Sequence, residues 1–201
     1  MKIIPTKIPG CFELFPQLHR DLRGVFIKTF HAPTFKEFGL KTSFKEQYYS
    51  TSYKNVIRGL HFQMPPYDHA KLIYCTDGEV MDVALDLRVG SPYYGKYIST
   101  NLNAKKGNMI YIPSGIAHGF CTLDNTSTLV YNTSTIYNPN KDTGIRWDTA
   151  NISWPIKKPN LSDRDLQLQD FKNFKSPFDF NGELIWKFLL QVEQDLLVDI
   201  L

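Results

Sequence analysis

Cysteine is scarce in this 201-residue chain, which contains only Cys11, Cys75 and Cys121. The three are far apart and none forms a CxxC pair, so the sequence excludes a disulfide framework and fits a reducing compartment. Long apolar runs are also missing, because no stretch reaches the ~18 to 20 residues that a bilayer span requires. Prolines interrupt the N-terminal segment MKIIPTKIPG, where a signal peptide needs an unbroken apolar run. We therefore expect a cytoplasmic protein with no membrane partner.

A strong charge of one sign is lacking as well. The formal net charge is only +3, and the lysines and arginines are scattered along the chain instead of forming a stripe. This distribution argues against nucleic acid as a partner but permits a local anionic ligand. The sequence has no glycine-rich phosphate loop and no dinucleotide fingerprint, so we expect chemistry that uses neither ATP nor NAD.

Short segments rich in β-branched and aromatic residues fill the chain from Ile3 to Pro155, separated by Gly, Pro, Asn or Asp. Short strand-like segments separated by turn residues predict an all-β fold. The candidate strands are 24–30, 44–54, 70–75, 79–86, 94–102, 108–112, 119–123 and 128–135. Residues 80–87 alternate with a period of two, which predicts one face in the core and the other towards solvent or a cavity. A double-sheet jelly roll or a barrel is favoured, because both limit exposed strand edges.

Two helical segments are predicted besides the strands, one at 32–38 and one from about residue 182 to the end. In the second, apolar residues recur three or four positions apart, which indicates an amphipathic helix. Its polar face is acidic, so we expect it to dock on its own domain or on a second subunit, not on a membrane. We accordingly divide the chain into a main domain, 1–175, and a helical extension, 176–201.

The segment KKGNMIYIPSGIAHGF, at 105–120, combines a strand, a tight turn and a histidine. Gly107 begins the strand, Pro113 and Gly115 form the turn, and His118 begins the returning strand. This spacing resembles the second signature of the cupin superfamily. We expect the turn to aim the His118 side chain into the barrel mouth.

Many cupins hold a metal at the barrel mouth. Such a metal would need further His, Cys or carboxylate ligands besides His118. The remaining histidines are His19, His31, His61 and His69, and none forms the HxH pair of the first cupin signature. His69 is followed two residues later by Lys71, whose ammonium repels a cation. The sequence thus predicts a cupin barrel with no metal site.

Several further segments follow one another in a recognisable order. They are RDLRGVF, VIRGLHFQMPPYDHAKLIYC followed by DGEVMDVALDLRVGSPYYGKY, AHGF, GIRWD ahead of WP, and LSDRD. Together they resemble the dTDP-4-dehydrorhamnose 3,5-epimerase family over residues 1–170. The resemblance implies a cupin-type double-stranded β-helix (jelly roll), no cofactor, and a homodimer that exchanges N-terminal strands. The implied activity is metal-independent epimerisation at C3, C5 or both of a nucleotide-diphosphate-linked 4-keto-6-deoxy sugar, in surface polysaccharide synthesis.

Epimerisation beside a ketone needs a base, a cation or donor at the enolate oxygen, and an acid opposite the base. His61 in RGLHFQ suits the base role, because the neutral imidazole predominates at pH 7 for an ordinary histidine. The base of the family falls on this position. The family also supplies an acidic residue that orients the base, for which we select Asp165 in LSDRD, with Asp163 as the alternative. Either carboxylate could instead cap the helix that follows.

The other catalytic groups implied by the resemblance are a tyrosine and a lysine. Tyr131 in STLVYNTS matches the acid of the family, and its phenol can serve if neighbouring positive charge lowers its pKa. Lys71, which follows the MPPYDHA loop, is the expected stabiliser of the sugar C4 oxygen. We expect His118 in the same cavity as a hydrogen-bonding neighbour. The resemblance places Tyr137 beside the sugar, as a second candidate for the acid.

Substrate binding is expected to use arginines and several neighbouring side chains. Arg23 and Arg58 match family positions that bind phosphate, where guanidinium groups pair with oxygen anions. Phe26 and Gln63 belong to the same expected set. Arg146 in GIRWD can equally tie down a loop.

Three positions depart from the family pattern, and they concern the nucleotide. Lys28, Glu46 and Tyr48 stand where relatives that use thymidine nucleotides have Glu, Gln and Asn. These substitutions change charge and hydrogen bonding, so a GDP-, CDP- or UDP-linked 4-keto hexose or heptose is an alternative substrate. If the dimer exchanges strands, Arg23 and Lys28 would act across the interface.

Three other activities are compatible with the same residues. A metal-dependent cupin enzyme would use His61 and His118 as ligands, and would lose activity on chelation. A sugar-nucleotide binding module would transfer no solvent deuterium to its ligand. A 3,4-ketoisomerase would move the carbonyl instead of inverting a centre.

Overall fold

The computed structural model describes residues 1–182, which form two packed antiparallel β-sheets and a separate hairpin. The strands are β1 (Lys2–Pro5), β2 (Phe12–Phe15), β3 (Leu18–Asp21), β4 (Gly24–Ile27), β5 (Glu46–Tyr53), β6 (Ile57–Gln63), β7 (Lys71–Asp77), β8 (Glu79–Asp86), β9 (Tyr97–Asn103), β10 (Met109–Ile112), β11 (Ile116–Thr122), β12 (Thr126–Thr133) and β13 (Asp142–Gly144). The helices are α1 (Ala32–Glu37), α2 (Asp163–Leu166) and a 3-10 helix at Phe171–Asn173. This architecture confirms the predicted all-β class.

The larger sheet has six strands in the order β1-β2-β10-β7-β12-β5. In the central strand β7, Ile73 and Cys75 pack into the core between the sheets, and Leu72 and Tyr74 pack on the outer face of this sheet. Since side chains alternate along a strand, Lys71 lies on the inner face with Ile73. The outer face is closed by apolar residues that include Phe35 of α1.

The smaller sheet has five strands in the order β13-β6-β11-β8-β9. Strands β6 and β11 are antiparallel with His61 opposite His118, so the two imidazoles share the inner face. Gly59, two residues before His61, has φ +117°, and an added Cβ would lie 2.7 Å from the Cα of Gly119. Only glycine fits this close approach, which brings β6 against β11 beside the histidine pair.

Strand β8 is buried on both faces, which corrects the expectation that one face meets solvent or a cavity. Val80 and Ala84 face the other sheet, whereas Val83 and Leu85 pack under the chain that follows β13. That covering chain contributes Ile145, Ala150, Phe174 and Phe178 to the second apolar cluster. Alternate residues of β8 therefore pack into two different apolar clusters, and neither face of the strand meets solvent.

The two sheets are apolar over most of the space between them and polar at one end. The apolar part holds Ile110, Phe120 and Leu129 in one cluster. At the polar end, the ends of β5, β7 and β12 meet the inner faces of β6 and β11, and a cavity opens there. This end of the sandwich positions the candidate site.

Eight strands and two helices were predicted from sequence, and the described residues contain all eight strands and the first helix. β8 spans Glu79–Asp86, as predicted, whereas the ends of the other elements are shifted, and α1 spans Ala32–Glu37. β1, β2, β3, β6 and β13 were not among the candidate strands; all of them except the seven-residue β6 are only three or four residues long. The predicted amphipathic helix at 182–201 lies outside the described residues except for Gly182. The division at 175 therefore stays a prediction.

The hairpin formed by β3 and β4 stands apart from both sheets. Within the described chain its strands pair only with each other. Leu22 at its turn is fully exposed, and Val25 and Phe26 are exposed as well. Close to the turn, the Arg20 guanidinium of β3 donates to the carbonyl oxygen of Lys105 at 3.0 Å. Across residues 1–182, no helix has the length and apolarity needed to cross a bilayer.

Candidate active site

The candidate site is a cavity of about 400 Å³ at the polar end of the sandwich. Its walls come from both sheets, the loops beyond β6 and β12, and the helix α2. The lining residues are Glu46, Tyr48, Ser50, Arg58, His61, Phe62, Gln63, His69, Lys71, His118, Phe120, Tyr131, Thr133, Tyr137, Asp142 and Arg164. The predicted residues His61, Lys71, His118, Tyr131, Arg58, Glu46, Tyr48, Gln63 and Tyr137 are therefore brought together.

His61 lies inside β6 and is bonded to the buried carboxylate of Asp165. The distance from Nε2 of His61 to Oδ1 of Asp165 is 2.6 Å. The other carboxylate oxygen, Oδ2, accepts from the Gly59 amide at 3.2 Å. Burial acts to raise the pKa of Asp165, but the bond with His61 and the Gly59 amide outweigh it, so that the pKa lies below its ordinary value. Asp165 therefore remains an acceptor that fixes the imidazole.

Helix α2 explains why Asp165, and not Asp163, reaches the histidine. Ser162 caps the helix, with its Oγ accepting from the Asp165 amide at 3.2 Å. Asp163 is exposed in the first turn, whereas Asp165 is buried. The geometry thus selects the second of the two carboxylates that the sequence offered.

A second imidazole–carboxylate pair lies beside the first. Nε2 of His118 is 2.7 Å from Oδ2 of Asp82, and both side chains are almost fully buried. Burial raises the pKa of Asp82 and lowers the pKa of His118, although each is partly offset by the other. Because the pKa of His118 lies below its ordinary value, His118 contributes a neutral polar ring at pH 7 and not a second cation.

Lys71 is a buried amine on the inner face of β7. Its Nζ donates to the carbonyl oxygen of His61 at 3.1 Å. Burial lowers the pKa of Lys71 to about 8, against the raising effect of Asp142 and Asp82. The amine is thus still mostly charged at pH 7 and sits where few water molecules compete with it. A desolvated ammonium of this kind interacts strongly with an oxygen anion.

Tyr131 enters the cavity from β12, on the sheet opposite His61. Its hydroxyl is 3.4 Å from Oγ of Ser50, and its ring stands edge-on to His118 at 5.9 Å between centroids. The condition of a lowered pKa is not met, because burial raises the pKa of Tyr131 and Asp82 adds to the rise, while Arg58 only partly opposes it. The phenol therefore keeps its proton in the resting protein.

Arg58 and Glu46 lie on the cavity wall with partners of their own. Nε of Arg58 donates to Oγ of Ser52 at 2.9 Å. The Glu46 carboxylate accepts from the backbone amide of Tyr137 at 2.9 Å. That bond joins β5 to the loop that follows β12, and so places Tyr137 at the cavity edge.

Gln63 lines the cavity, but its amide group is used inside the protein. Its Nε2 lies within 3.2 Å of the carbonyl oxygens of Tyr67 and Ile136 and of the His69 ring, and its Oε1 accepts from the Asn138 amide at 2.6 Å. The role of Gln63 in substrate binding stays a prediction. Gln63 joins the two loops that border the cavity.

The structure also shows site residues that sequence reasoning missed. Asp142 on β13 and Arg164 on α2 both line the cavity and form an ion pair at 2.6 Å. Arg164 lies inside the quoted LSDRD motif, so the signal was present. Asp82 could have been found from the period-two pattern of β8, which places it on one face with Ala84. Nothing in the local sequence marks Asp142.

Three predicted residues do not reach the cavity of this chain. Arg23, Phe26 and Lys28 lie on or just after the β3–β4 hairpin and are absent from the cavity lining. The Arg23 guanidinium is exposed and pairs with Asp21 at 2.6 Å. Arg146 bonds to Asp148 and Asp170, which is the loop-tying arrangement that the sequence allowed.

A metal site needs three or four His, Cys or carboxylate side chains close together. Over residues 1–182, no three His, Cys, Asp or Glu side chains form a group that could hold a metal ion. His61 and His118 each direct Nε2 to a carboxylate. Cys11, Cys75 and Cys121 are free and buried.

Known proteins share this sequence and this fold. The sequence model of the family described as dTDP-4-dehydrorhamnose 3,5-epimerase matches residues 5–173. The dTDP-4-dehydrorhamnose 3,5-epimerase of Shigella flexneri is 41% identical over 174 residues, covering 85% of this chain and 96% of the relative. The dTDP-4-dehydrorhamnose 3-epimerase of Streptomyces niveus is 38% identical over 168 residues, covering 82% of this chain and 81% of the relative.

A crystal structure extends the likeness to three dimensions. It is that of a dTDP-6-deoxy-D-glucose-3,5-epimerase from Legionella pneumophila in complex with dTDP-4-keto-L-rhamnose. The TM-score is 0.85 at 31% identity, with 89% of this chain and 98% of that chain covered. The likeness confirms the predicted cupin-type jelly roll.

Proposed function

Because this chain belongs to the dTDP-4-dehydrorhamnose 3,5-epimerase family, we propose that it inverts C3, C5 or both of a dTDP-linked 4-keto-6-deoxy sugar. The family name establishes an enzyme of the epimerase class. One observation carries the proposal for this chain, namely that the Asp165-bound imidazole of His61 faces the same cavity as the buried amine of Lys71 and the phenol of Tyr131.

His61 is the base in this proposal. Asp165 occupies Nε2 of the imidazole, so Nδ1 is the atom that takes a proton from the carbon beside the ketone. The carboxylate holds the ring orientation and stabilises the imidazolium that forms. His61 thus provides the proton acceptor, and Asp165, hydrogen-bonded to it, provides the negative charge that balances the imidazolium.

Lys71 stabilises the enolate. As the carbon loses its proton, negative charge moves to the C4 oxygen, and the ammonium has N–H groups beyond the one given to the carbonyl of His61. His118 adds a neutral hydrogen-bonding ring at the same wall. The low-dielectric position of Lys71 strengthens the interaction with the developing oxyanion.

Tyr131 returns a proton from the other side. It belongs to β12 of the six-stranded sheet, whereas His61 belongs to β6 of the five-stranded sheet. A sugar held between the two walls loses a proton towards one sheet and gains one from the other. This arrangement inverts the carbon, and solvent then reprotonates Tyr131 and deprotonates His61.

Cations at the cavity wall suit the diphosphate. Arg58 and Arg164 both line the cavity, and guanidinium groups pair bidentately with phosphate oxygens. Thymidine diphosphate is the nucleotide that the relatives' names give, and Lys28 and Glu46 are the positions that we would exchange to test nucleotide preference. Buried free thiols fit the cytoplasmic location that we propose.

Solvent exchange tests the proposal directly. The protein is incubated in heavy water with the dTDP-, GDP-, CDP- and UDP-linked 4-keto-6-deoxy sugars, and deuterium is located by NMR. We expect deuterium at C3, C5 or both of the dTDP sugar, because the base and acid both exchange protons with solvent. Binding without exchange would identify a binding module, a moved carbonyl would identify a ketoisomerase, and activity lost on chelation would identify a metal enzyme.

We also propose a homodimer in which the β3–β4 hairpin of one subunit completes the site of the other. The hairpin exposes apolar side chains and carries Arg23, and β5 is an outer strand of its sheet in the described chain. An unpaired strand edge and an apolar hairpin are complementary surfaces. Arg23 and Lys28, which do not reach their own cavity, would then reach the partner's.

Complementation between two inactive variants tests this arrangement. Arg23→Ala and His61→Asn are coexpressed with different tags, and the mixed dimer is compared with each parent. If Arg23 acts across the interface, one site of the mixed dimer has both native residues, and a random mixture recovers about one quarter of wild-type activity. A monomer at micromolar concentration, or a mixed dimer as inactive as its parents, would rule out the shared site.

A further inference from the structure

Tyr48 lies flat against Tyr131. The two residues are directly opposite each other on β5 and β12, so both side chains point to the inner face of the sheet. Their ring centroids are 4.9 Å apart and the ring planes differ by 17°. One face of the Tyr131 phenol is therefore in offset stacking contact with another aromatic ring.

Two further contacts fix the same phenol. The Ser50 hydroxyl, two residues along β5 from Tyr48, lies 3.4 Å from the Tyr131 hydroxyl. The His118 ring contacts Tyr131 at a steep angle of 76°, with 5.9 Å between the ring centroids. Tyr48, Ser50 and His118 thus each contact the Tyr131 side chain, and together they restrict the orientation of its ring.

The orientation of the acid matters because the sugar offers two carbons beside one ketone. With the C4 oxygen held by Lys71, C3 and C5 lie on either side of it, and a swing of the phenol changes which carbon is nearer. If the phenol is displaced, the imidazolium of His61 returns the proton to the face that lost it. That event inverts nothing, and it places a solvent hydrogen on the carbon when the imidazolium has exchanged its proton with solvent before the return.

Building on the proposed function, we propose that Tyr48 is a positioning residue that sets the fraction of deprotonation events ending in inversion. The steps balance as acid–base transfers. A carbon–hydrogen bond breaks as the proton moves to His61, a new one forms with the proton of the Tyr131 hydroxyl, and water restores both side chains. Tyr48 neither gives nor accepts a proton in these steps and acts only through the stacking of its ring on Tyr131.

The chemical state of Tyr48 supports a role for its ring and not for its charge. Burial, together with the nearby carboxylates of Glu46 and Asp142, raises the pKa of Tyr48 to about 12. Its phenol therefore stays neutral at working pH and places no anion beside the acid. Tyr48 is also 46% exposed, so the strand tolerates substitutions there.

The test measures the ratio of inverted product to exchanged but uninverted substrate, by NMR in heavy water. In Tyr48→Leu we expect this ratio to fall about fivefold, the loss that corresponds to one aromatic pair of ordinary strength. Tyr48→Phe keeps the ring and should retain the wild-type ratio. Tyr53→Leu removes an exposed tyrosine from the other face of β5 and serves as the matched control. Tyr48→Gln provides a second variant without a ring should Tyr48→Leu fold poorly.

The outcomes separate this inference from the function on which it rests. No exchange with the wild-type protein would reject the proposed function itself. Wild-type exchange with an unchanged ratio in both Tyr48→Leu and Tyr48→Gln would overturn only the role of Tyr48. A raised KM for the dTDP sugar with an unchanged ratio would likewise overturn it, and would assign Tyr48 to nucleotide binding instead.

Discussion

Replacing His61 by asparagine is expected to slow solvent exchange and inversion by about 10³-fold or more, because the variant removes the base that accepts the substrate proton. Asparagine keeps a polar side chain opposite Asp165 but cannot become a cation at neutral pH. The measurement is deuterium incorporation into the dTDP-linked 4-keto sugar, followed by NMR, with circular dichroism to establish that the variant is folded.

A matched control and a second variant sharpen this result. His31→Asn changes an exposed histidine at the start of α1 and should leave the rate unchanged. Asp165→Asn should also slow exchange by orders of magnitude, since its amide oxygen would accept from the Gly59 amide and its NH2 group would donate to Nε2, which favours the tautomer with a protonated Nδ1. Wild-type turnover in His61→Asn would remove the starting step of the proposed mechanism.

Replacing Lys71 by methionine is expected to reduce turnover by about 10²- to 10³-fold, the usual loss when an oxyanion stabiliser is removed. The fold should be unaffected or more stable at pH 7, because the variant no longer buries an ammonium. Steady-state kinetics and thermal unfolding, with the exposed Lys36→Met as control, measure both effects. A loss of activity accompanied by an equal loss of folded protein would instead make Lys71 a structural residue.

The pH dependence of the wild-type protein follows from the same residue. With the pKa of Lys71 lowered to about 8, the ammonium is present below that pH and is lost as the pH rises through it, so activity should fall on the alkaline side. Between pH 8 and 10.5 the unfolded chain binds more protons at this position than the folded chain, so this group makes the free energy of unfolding rise with pH. Lys71→Met should lack that rise. An activity profile that stays level to pH 10 would contradict the assignment.

Much of the fold was predictable because strand periodicity and turn residues are local signals. The turn at Pro113 and Gly115, with His118 on the returning strand, is an example, since β10 and β11 flank it in the structure. The sandwich also contains features that no local pattern specifies. The burial of Val83 and Leu85 depends on a covering chain that begins some sixty residues later, and the short strand β13 is defined only by its pairing with β6.

In the candidate site, too, local motifs predicted some features, whereas others depend on contacts between distant segments. His61, Lys71 and Tyr131 were recognised from motifs, and the structure brings all three to one cavity. Their electrostatic states were not predictable, because the pKa of a group depends on burial and on partners from other strands. Tyr131 is the clearest case, since a pKa lowered by positive charge was the condition for its role and burial raises that pKa. Asp142 was missed for a related reason, because its ion pair with Arg164 joins two distant segments.

The bond between His61 and Asp165 spans 104 residues of sequence, and its consequence reaches back to protein synthesis. All thirteen strands of the described chain precede Asp165, the last of them ending at Gly144. A nascent chain can therefore complete both sheets while its imidazole still has no carboxylate to orient it. In the proposed mechanism the base is fully oriented only after α2 has left the ribosome and docked, so that turnover at the full rate would report on the completion of the domain.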